Sequence, residues 1–333
     1  MRYNILFISS PDQTQSGDFI YRVRQPGIAL ASLDNIRVIS CPNISRYRDL
    51  LIRNADVVIL DMLGDPDLIP WLNRPDLVQI YELSDNLLDI QPFNPCYSFF
   101  RNPDNLATIF QLIHLADGIQ TTSEYLQGVF RPLFPNITVF KNHLVDLPPT
   151  RPKSDPVVLG WGGSYGHRDD VAGIVPVVTE YLRSHPEIRL HIMGAPQIFE
   201  LFEGVPSCQK SYFPTGSLDQ YHRFLDTLHI GLAPLEPTGF NQGRSDIKLL
   251  EYLAHGVIPI CAAVGPYLGA VEPGINGLLY RMPADIPGLL DRLRAEPALG
   301  ATIVRQGYEY LRSVRLERPN ASQRRDYYLG RLA

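Results

Sequence analysis

The chain has 333 residues, 45% of them hydrophobic and 20% charged, with a formal net charge of -5 and a pI near 5.9. That length gives room for two domains with proper cores, and an acidic balance with no block of Lys and Arg before the tail argues against a nucleic-acid partner. Four scattered cysteines (Cys41, Cys96, Cys208, Cys261) include no CxxC pair, which fits a reducing compartment and offers no zinc site, and no apolar run nears the roughly 20 residues of a membrane helix.

Met1–Asn4 leads directly into a strand and lacks the apolar length and cleavage site of a signal peptide. The expectation is a cytoplasmic protein, with peripheral contact at the inner membrane face left open. Apolar runs at Tyr3–Ser9, Ile36–Cys41, Val57–Asp61, Leu77–Glu82, Gly118–Thr121 and Ile137–Phe140 alternate with helical stretches. That alternation predicts an α/β domain with a parallel sheet between helices. Ligands of such sheets bind beyond the carboxyl ends of the strands. After the first strand, the polar loop Ser10–Gly17 leads through Tyr21–Gly27 into an apolar helix reaching Leu33. Asp65-Pro66-Asp67 imitates an Asp-x-Asp metal motif but sits in a Pro-rich turn, where Asp serves local hydrogen bonds. Glu82 and Asp85 follow a strand end and read as a helix cap or a cleft wall. His114 lies in an apolar helical stretch and reads as a packed or capping residue. His143, in Lys141-Asn142-His143 at a cleft mouth, is a candidate for touching substrate.

The proline-rich stretch Leu147–Pro156 reads as an interdomain linker, which divides the chain into 1–147, 148–312 and a tail, 313–333. Beyond the linker the alternation resumes. Strands are expected at Val157–Trp161, Arg189–Met193, Tyr212–Phe213 and His229–Ala233, and helices at Val171–Ser184, Leu218–Thr227, Ile286–Ala295 and Ala298–Val314. The tail, Arg315–Ala333, carries five arginines and two tyrosines and reads as a last helix. Gly162-Gly163-Ser164-Tyr165-Gly166 follows a strand and precedes a helix. It matches neither G-x-G-x-x-G nor the P-loop. A tight turn needs one Gly rather than three, so close backbone approach to a ligand explains the excess. His167 and Arg168 close the loop, and either could add a cation to a phosphate site or be a surface residue.

The most informative stretch is Asn241–Gly277. Ser245 reads as the N-cap of a helix reaching about His255, and Gly256 ends it in a left-handed turn. Val257–Ala263 is a strand in which Pro259 marks either an edge or a start. Ile247, Leu250 and Ala254 share one helix face, and Lys248, Glu251, Tyr252 and His255 another. Lys248 one turn in, Arg244 just ahead of the helix and free N–H groups would suit a phosphate. Glu251, a turn deeper, could accept hydrogen bonds from hydroxyls. A Lys and a Glu three apart can also be a solvated pair. Against that, the helix is otherwise apolar and runs into a buried-type strand, so a polar stripe on it needs a reason.

This stretch resembles the C-terminal domain of the retaining, nucleotide-sugar-dependent glycosyltransferases of the GT-B fold, the family 4 group. The matching pieces are Arg244-Ser245-x-x-Lys248-x-x-Glu251-Tyr252-Leu253-Ala254-x-Gly256-Val257-x-Pro259, Gly265, and Glu272-x-Gly274-x-Asn276-Gly277-Leu278-Leu279. Val158–Asp170, Ala116–Leu126 and Val139–His143 are similar to further segments of that family, so the resemblance spans most of the chain. It implies two Rossmann-like domains facing across a cleft, with the C-terminal helix crossing back to the first. It implies transfer of a sugar from a nucleotide-diphosphate sugar to a glycan, lipid-linked or protein hydroxyl, with retention and with no metal or cofactor beyond the donor. Carried over, Glu251 would bind the ribose, and Lys248 and Arg244 the diphosphate, with Ser245 and the amides of Gly162, Gly163 and Ser164 beside them. Gly265 would lie in a loop near the nucleotide, and His143 would be a third candidate for the chemistry.

The acceptor would lie on the first-domain face, along Ser10–Arg24, Glu82–Asn86 and Lys141–His143. Two departures stand out. The family often has a second Glu, contacting the donor sugar, where this chain has Gly243; the amides of Asn241–Gly243 are the expected substitute. The family's Arg after the opening C-terminal strand is also missing, with His167 or Arg168 in its place. Two rival readings are a nucleotide-sugar epimerase or hydrolase and a catalytically silent nucleotide-sugar-binding scaffold.

Overall fold

The computed structural model describes residues 2–11, 16–149, 153 and 155–332; parts of the expected loop Ser10–Gly17 and linker Leu147–Pro156 lie outside the described residues. Two six-stranded sheets organise the molecule, and every strand pairing in both is parallel. The first holds β1 (Tyr3–Ser9), β2 (Ile36–Pro42), β3 (Val57–Asp61), β4 (Val78–Leu83), β5 (Gly118–Thr121) and β6 (Ile137–Val139), in the order β2-β1-β3-β4-β5-β6. The second holds β7 (Val158–Gly162), β8 (Arg189–Gly194), β9 (Lys210–Pro214), β10 (Ile230–Ala233), β11 (Ile258–Ala262) and β12 (Leu278–Tyr280), in the order β12-β11-β10-β7-β8-β9. Strand order therefore reverses between β1 and β3 and again between β7 and β10. A crevice opens at such points because the connecting helices leave to opposite faces.

Parallel sheets bury both faces, so their strands are apolar throughout. In the first sheet Ile5, Phe7, Val57, Ile59, Val78 and Ile80 point to one core layer, and Leu6, Ile8, Val58, Leu60, Tyr81 and Leu83 to the other. The first layer is closed by the helices Gln25–Ala31 and Glu317–Leu329. The latter is the expected last helix. It returns to the first sheet, where the Tyr328 hydroxyl donates to Gln120 Oε1 at 2.7 Å and the Tyr327 hydroxyl to the Ile119 carbonyl at 3.0 Å. The chain passes between the sheets twice, and the two passages lie side by side. The Leu144 N–H donates to the Arg315 carbonyl at 2.9 Å, and the Glu317 N–H to the Leu144 carbonyl at 2.8 Å.

Several local expectations change. β12 is too short, at three residues, to stand out as an apolar run. It covers one side of β11, so Pro259 marks the start of an interior strand: it faces Gly231 ahead of the β12 pairing, which begins at Ile260. Ser245 is not the N-cap. The helix is Ile247–Ala254 with Asp246 at its cap, because the Ser245 hydroxyl is taken by the Asn142 amide at 2.9 Å. Gly256 does end the helix, at φ +64°, a conformation that is easy only for a residue without Cβ. The helix expected after Tyr21 begins as a π-turn, Phe19–Arg24, and continues as the α-helix Gln25–Ala31. The wider turn fits the missing N–H of Pro26. Asp65 is a turn residue: its carboxylate accepts from the Asp67 N–H at 2.9 Å. His114 packs edge-on against Phe134.

Candidate functional site

Both halves contribute to a cavity of about 420 Å³ at the carboxyl ends of the sheets. Gly162, Gly163 and Ser164 bring the end of β7 to it, and Leu235 lies just past β10. From the first sheet come Ser84 and Asp85, after β4, and Thr122, after β5.

Lys248 enters from the first turn of helix Ile247–Ala254, and only 9% of it is exposed. Its Nζ donates to the Gly162 carbonyl and stands 5.3 Å from the centre of the Trp161 ring. Burial pushes its pKa below the ordinary 10.5; Glu251 opposes the shift and Arg244 adds to it. A Cβ on Gly163 would stand 3.0 Å from that nitrogen and 2.8 Å from the indole, so glycine there lets the ammonium reach the strand end. Arg244 lies over the Phe240 ring at 4.7 Å. Its Nε is buried without a hydrogen-bond partner. An unmet charged donor of this kind is costly, which suits a group held ready for an acceptor.

Glu251 is doubly engaged. One carboxylate oxygen accepts from the Tyr21 hydroxyl at 2.7 Å and the other from Tyr221 at 2.8 Å. Burial and the neighbouring carboxylate push both phenols well above 10, so they remain donors. Each carboxylate oxygen still has a second lone-pair direction.

His167 lines the cavity as a neutral ring and not as a cation. Burial and Arg244 push its pKa down to about 4. Its Nδ1 lies 2.8 Å from Asp170 Oδ2, which assigns the proton to Nδ1 and leaves Nε2 as an acceptor. Asp170 is fixed in turn by the Glu236 N–H at 2.8 Å and the Asn241 amide at 2.7 Å. Arg168 is a surface residue, paired with Asp169 at 2.7 Å.

The structure thus brings together Lys248, Arg244, Glu251, Ser245, Gly162, Gly163, Ser164 and His167. Three other expected site residues lie elsewhere. His143 does not line the cavity; it packs toward the last helix, with Nδ1 3.3 Å from Glu317 Oε2, and its neighbour Asn142 lines the wall. Gly243 backs onto the first half: its carbonyl accepts from the Ser123 hydroxyl at 3.2 Å, and a Cβ would stand 2.7 Å from Leu126. Gly265, at φ +42°, presses on the backbone of Asn241 and Gln242, and its turn contributes Tyr267 to the cavity instead. The amides of Asn241, Gln242 and Gly243 are also spent, on Thr238 and Phe240, because these residues form the short helix Gly239–Gln242. They cannot replace an absent side chain. The Gly163 amide is likewise spent, on the Met193 carbonyl at 3.0 Å.

Sequence reasoning missed Tyr221 and gave no individual role to Trp161 and Asp170, or to Tyr21 and Asp18 within the expected acceptor stretch Ser10–Arg24. Trp161 and Asp170 flank the glycine loop and were within reach of it. Tyr21 meets Glu251 across 230 residues, a contact with no local signal.

No protein-family model and no curated protein matches the chain. Solved structures do. Sucrose-phosphate synthase from Thermosynechococcus elongatus superposes with a TM-score of 0.75 at 16% identity, covering 99% of each chain. HepE from Anabaena, in complex with UDP and glucose, gives 0.69 at 12% identity over 99% of this chain and 100% of that one. A glycosyltransferase from Rickettsia africae gives 0.66 at 11%, over 99% of each. At such identities the likeness concerns architecture: the chain has the two-sheet GT-B fold of these structures.

Proposed function

We propose that the chain is a retaining glycosyltransferase of the family 4 type, which moves a sugar from a nucleoside-diphosphate sugar to an acceptor hydroxyl. The observation that carries this reading is the meeting of Arg244, Lys248 and Glu251 in one cavity at the β7/β10 crossover, with Arg244 short of partners. Glu251 takes the ribose diol on its remaining lone pairs. Lys248 and Arg244 hold the diphosphate and stabilise the negative charge that develops as the glycosidic bond breaks. These two cations supply what a metal supplies elsewhere, so the reaction is expected to survive chelation. His167 Nε2 accepts from a donor-sugar hydroxyl, a role for a neutral ring. Residues 1–147 form the acceptor side, 148–312 the donor side and 313–333 the returning helix.

The neighbours support the donor class. HepE is described with UDP, with UDP and glucose, and with UDP-glucose, and TarM with UDP. The acceptor is a glycan, lipid-linked or protein hydroxyl, and the setting is cytoplasmic. Among the described residues no helix is long and apolar enough to cross a membrane.

The test is thermal-shift binding across nucleoside diphosphates and nucleotide sugars, with EDTA, on wild type and Glu251→Ala. A ligand that binds only the folded state raises Tm by mass action. A selective shift that is lost in the variant supports a donor site and names the base. No shift with any nucleotide refutes the reading. Turnover of the donor without an acceptor would instead identify an epimerase or hydrolase. Binding without turnover would identify a silent scaffold, the reading that the loss of the second Glu at Gly243 favours.

A further inference from the structure

The cavity has a second wall, apart from the residues assigned above to the donor. The carboxyl ends of β4 and β5 place Ser84 and Thr122 on it, 4% and 5% exposed. Neither hydroxyl has a hydrogen-bond partner. Buried hydroxyls are nearly always bonded, so an orphaned pair on a cavity wall points to a ligand. Asp18 and Asp85 line the same wall. Among the described residues neither carboxylate has a hydrogen bond; each feels only burial and the charges around it. Asp18 is pushed up to about 7 by burial and by Asp85, against the opposing pull of Arg244 and Arg22.

Among the described residues, the charged groups around this wall are Arg22, Glu82, Arg244, Lys248 and the fully buried Asp61, whose carboxylate adds to the negative side. Arg22, beneath it, is consumed by Glu82 at 3.0 Å, and both are inaccessible. Arg244 is the cation nearest the two acids, and Lys248 lies deeper, on the Gly162 carbonyl. Once both hold a diphosphate, the described residues of the wall present two hydroxyls, two acids that are both ionised only above about pH 7, and no free cation. A phosphate or carboxylate arriving there would meet like charge with nothing to offset its desolvation. A sugar hydroxyl is the opposite case: it donates to a carboxylate and exchanges bonds with Ser84 and Thr122.

We propose that Ser84, Thr122, Asp18 and Asp85 form the acceptor subsite, and that it takes an uncharged sugar or polyol through neighbouring hydroxyls and rejects the same compound carrying a phosphate or carboxylate. This rests on the glycosyl-transfer reading for its role, and its binding chemistry is tested above pH 7 with UDP holding Arg244 and Lys248 and no donor sugar present.

The experiment is saturation-transfer NMR on the full chain, with and without UDP. Methyl α-glucoside, methyl α-mannoside and glycerol are compared with glucose 6-phosphate, mannose 6-phosphate and glucuronate. The expected result is that the neutral compounds bind at least about tenfold more tightly than the anionic ones, the worth of one charge-assisted hydrogen bond gained or opposed. Ser84→Ala/Thr122→Val should lose neutral binding, and Asp18→Asn/Asp85→Asn should narrow the preference. Equal or tighter binding of the phosphates in the presence of UDP overturns the proposal. So does silence from every neutral polyol, which would mean that water alone serves the two hydroxyls. The wild-type comparison needs no variant, so a variant that fails to fold leaves the test intact. A failed nucleotide panel with a surviving polyol preference removes the donor reading alone; the reverse removes the subsite alone.

Discussion

Replacing Lys248 with methionine should weaken nucleotide binding while leaving the fold nearly as stable. The substitution keeps the length of the side chain and removes its charge. In the empty protein it forfeits the bond to the Gly162 carbonyl, about 1–3 kcal/mol if that oxygen goes unmet. It also forfeits a ring contact at 5.3 Å worth about 0.5–2 kcal/mol. Against these stands the desolvation of a cation that is 9% exposed, itself several kcal/mol. The opposing sums are of similar size, so the net change in stability should stay within about 2 kcal/mol. Binding has no such offset. Losing one charge-assisted contact to a phosphate should cost about 1.5–3 kcal/mol, or about 10- to 150-fold in Kd. Isothermal calorimetry with the nucleoside diphosphate selected by the thermal panel reads the second quantity, and urea unfolding reads the first. The linkage is also signed. A lysine with a depressed pKa costs stability at neutral pH, and that cost fades as pH rises toward 10.5, so the variant should lack the alkaline gain. A variant that binds as wild type does, yet loses more than about 3 kcal/mol of stability, would make Lys248 a structural residue and refute the reasoning.

Three further outcomes are expected. The His167 pKa, near 4 in the folded chain against 6.5 when unfolded, contributes stability that is present above 6.5 and lost as pH falls through 4; wild type should lose about 3 kcal/mol more than His167→Gln over that window, and parallel urea midpoints would contradict this. Asp18 has the opposite sign, since its raised pKa adds stability as pH falls from 7 toward 3.8, so Asp18→Asn should show a steeper acid loss in the same titration. Arg315→Ala breaks a buried pair with Asp246 and a 2.8 Å bond to the Asn142 carbonyl, and should cost about 3–5 kcal/mol by urea unfolding; a loss below about 1 kcal/mol would place that pair at the surface in effect.

The first sheet was legible because a strand buried on both faces is written as an apolar run, and β1, β3 and β5 fall where those runs begin and end. β12 has three residues and no such signature. In the second half, Lys248 and Glu251 could be found because their polar stripe contradicts an otherwise apolar helix. What the sequence could not show is which backbone groups are already occupied. The glycines of Gly162–Ser164 read correctly as a place of close approach, yet the Gly163 amide serves β8 and the amides at Asn241–Gly243 serve a short helix. His143 and Asn142 are adjacent in sequence, but the cleft takes only Asn142 because Glu317 claims the histidine. Tyr21, Asp18 and Ser84 fall inside the stretches expected to face an acceptor, but their individual roles depend on contacts across the whole chain, which no local pattern shows.

The returning helix also sets a timetable for synthesis. Tyr328 completes a core layer laid down by Ile5, Phe7, Val57 and Ile80, and its hydroxyl bonds a residue 208 positions earlier. At about 5–20 residues per second a ribosome needs roughly 10–40 s to add that length. For most of that interval, once β6 has been made, the nascent first half has its strands but not the lid of its core, with apolar surface open to water. It is the part of the molecule on which a chaperone would act during translation, and a ribosome-stalled chain ending before Glu317 should bind a hydrophobic dye that the released protein does not.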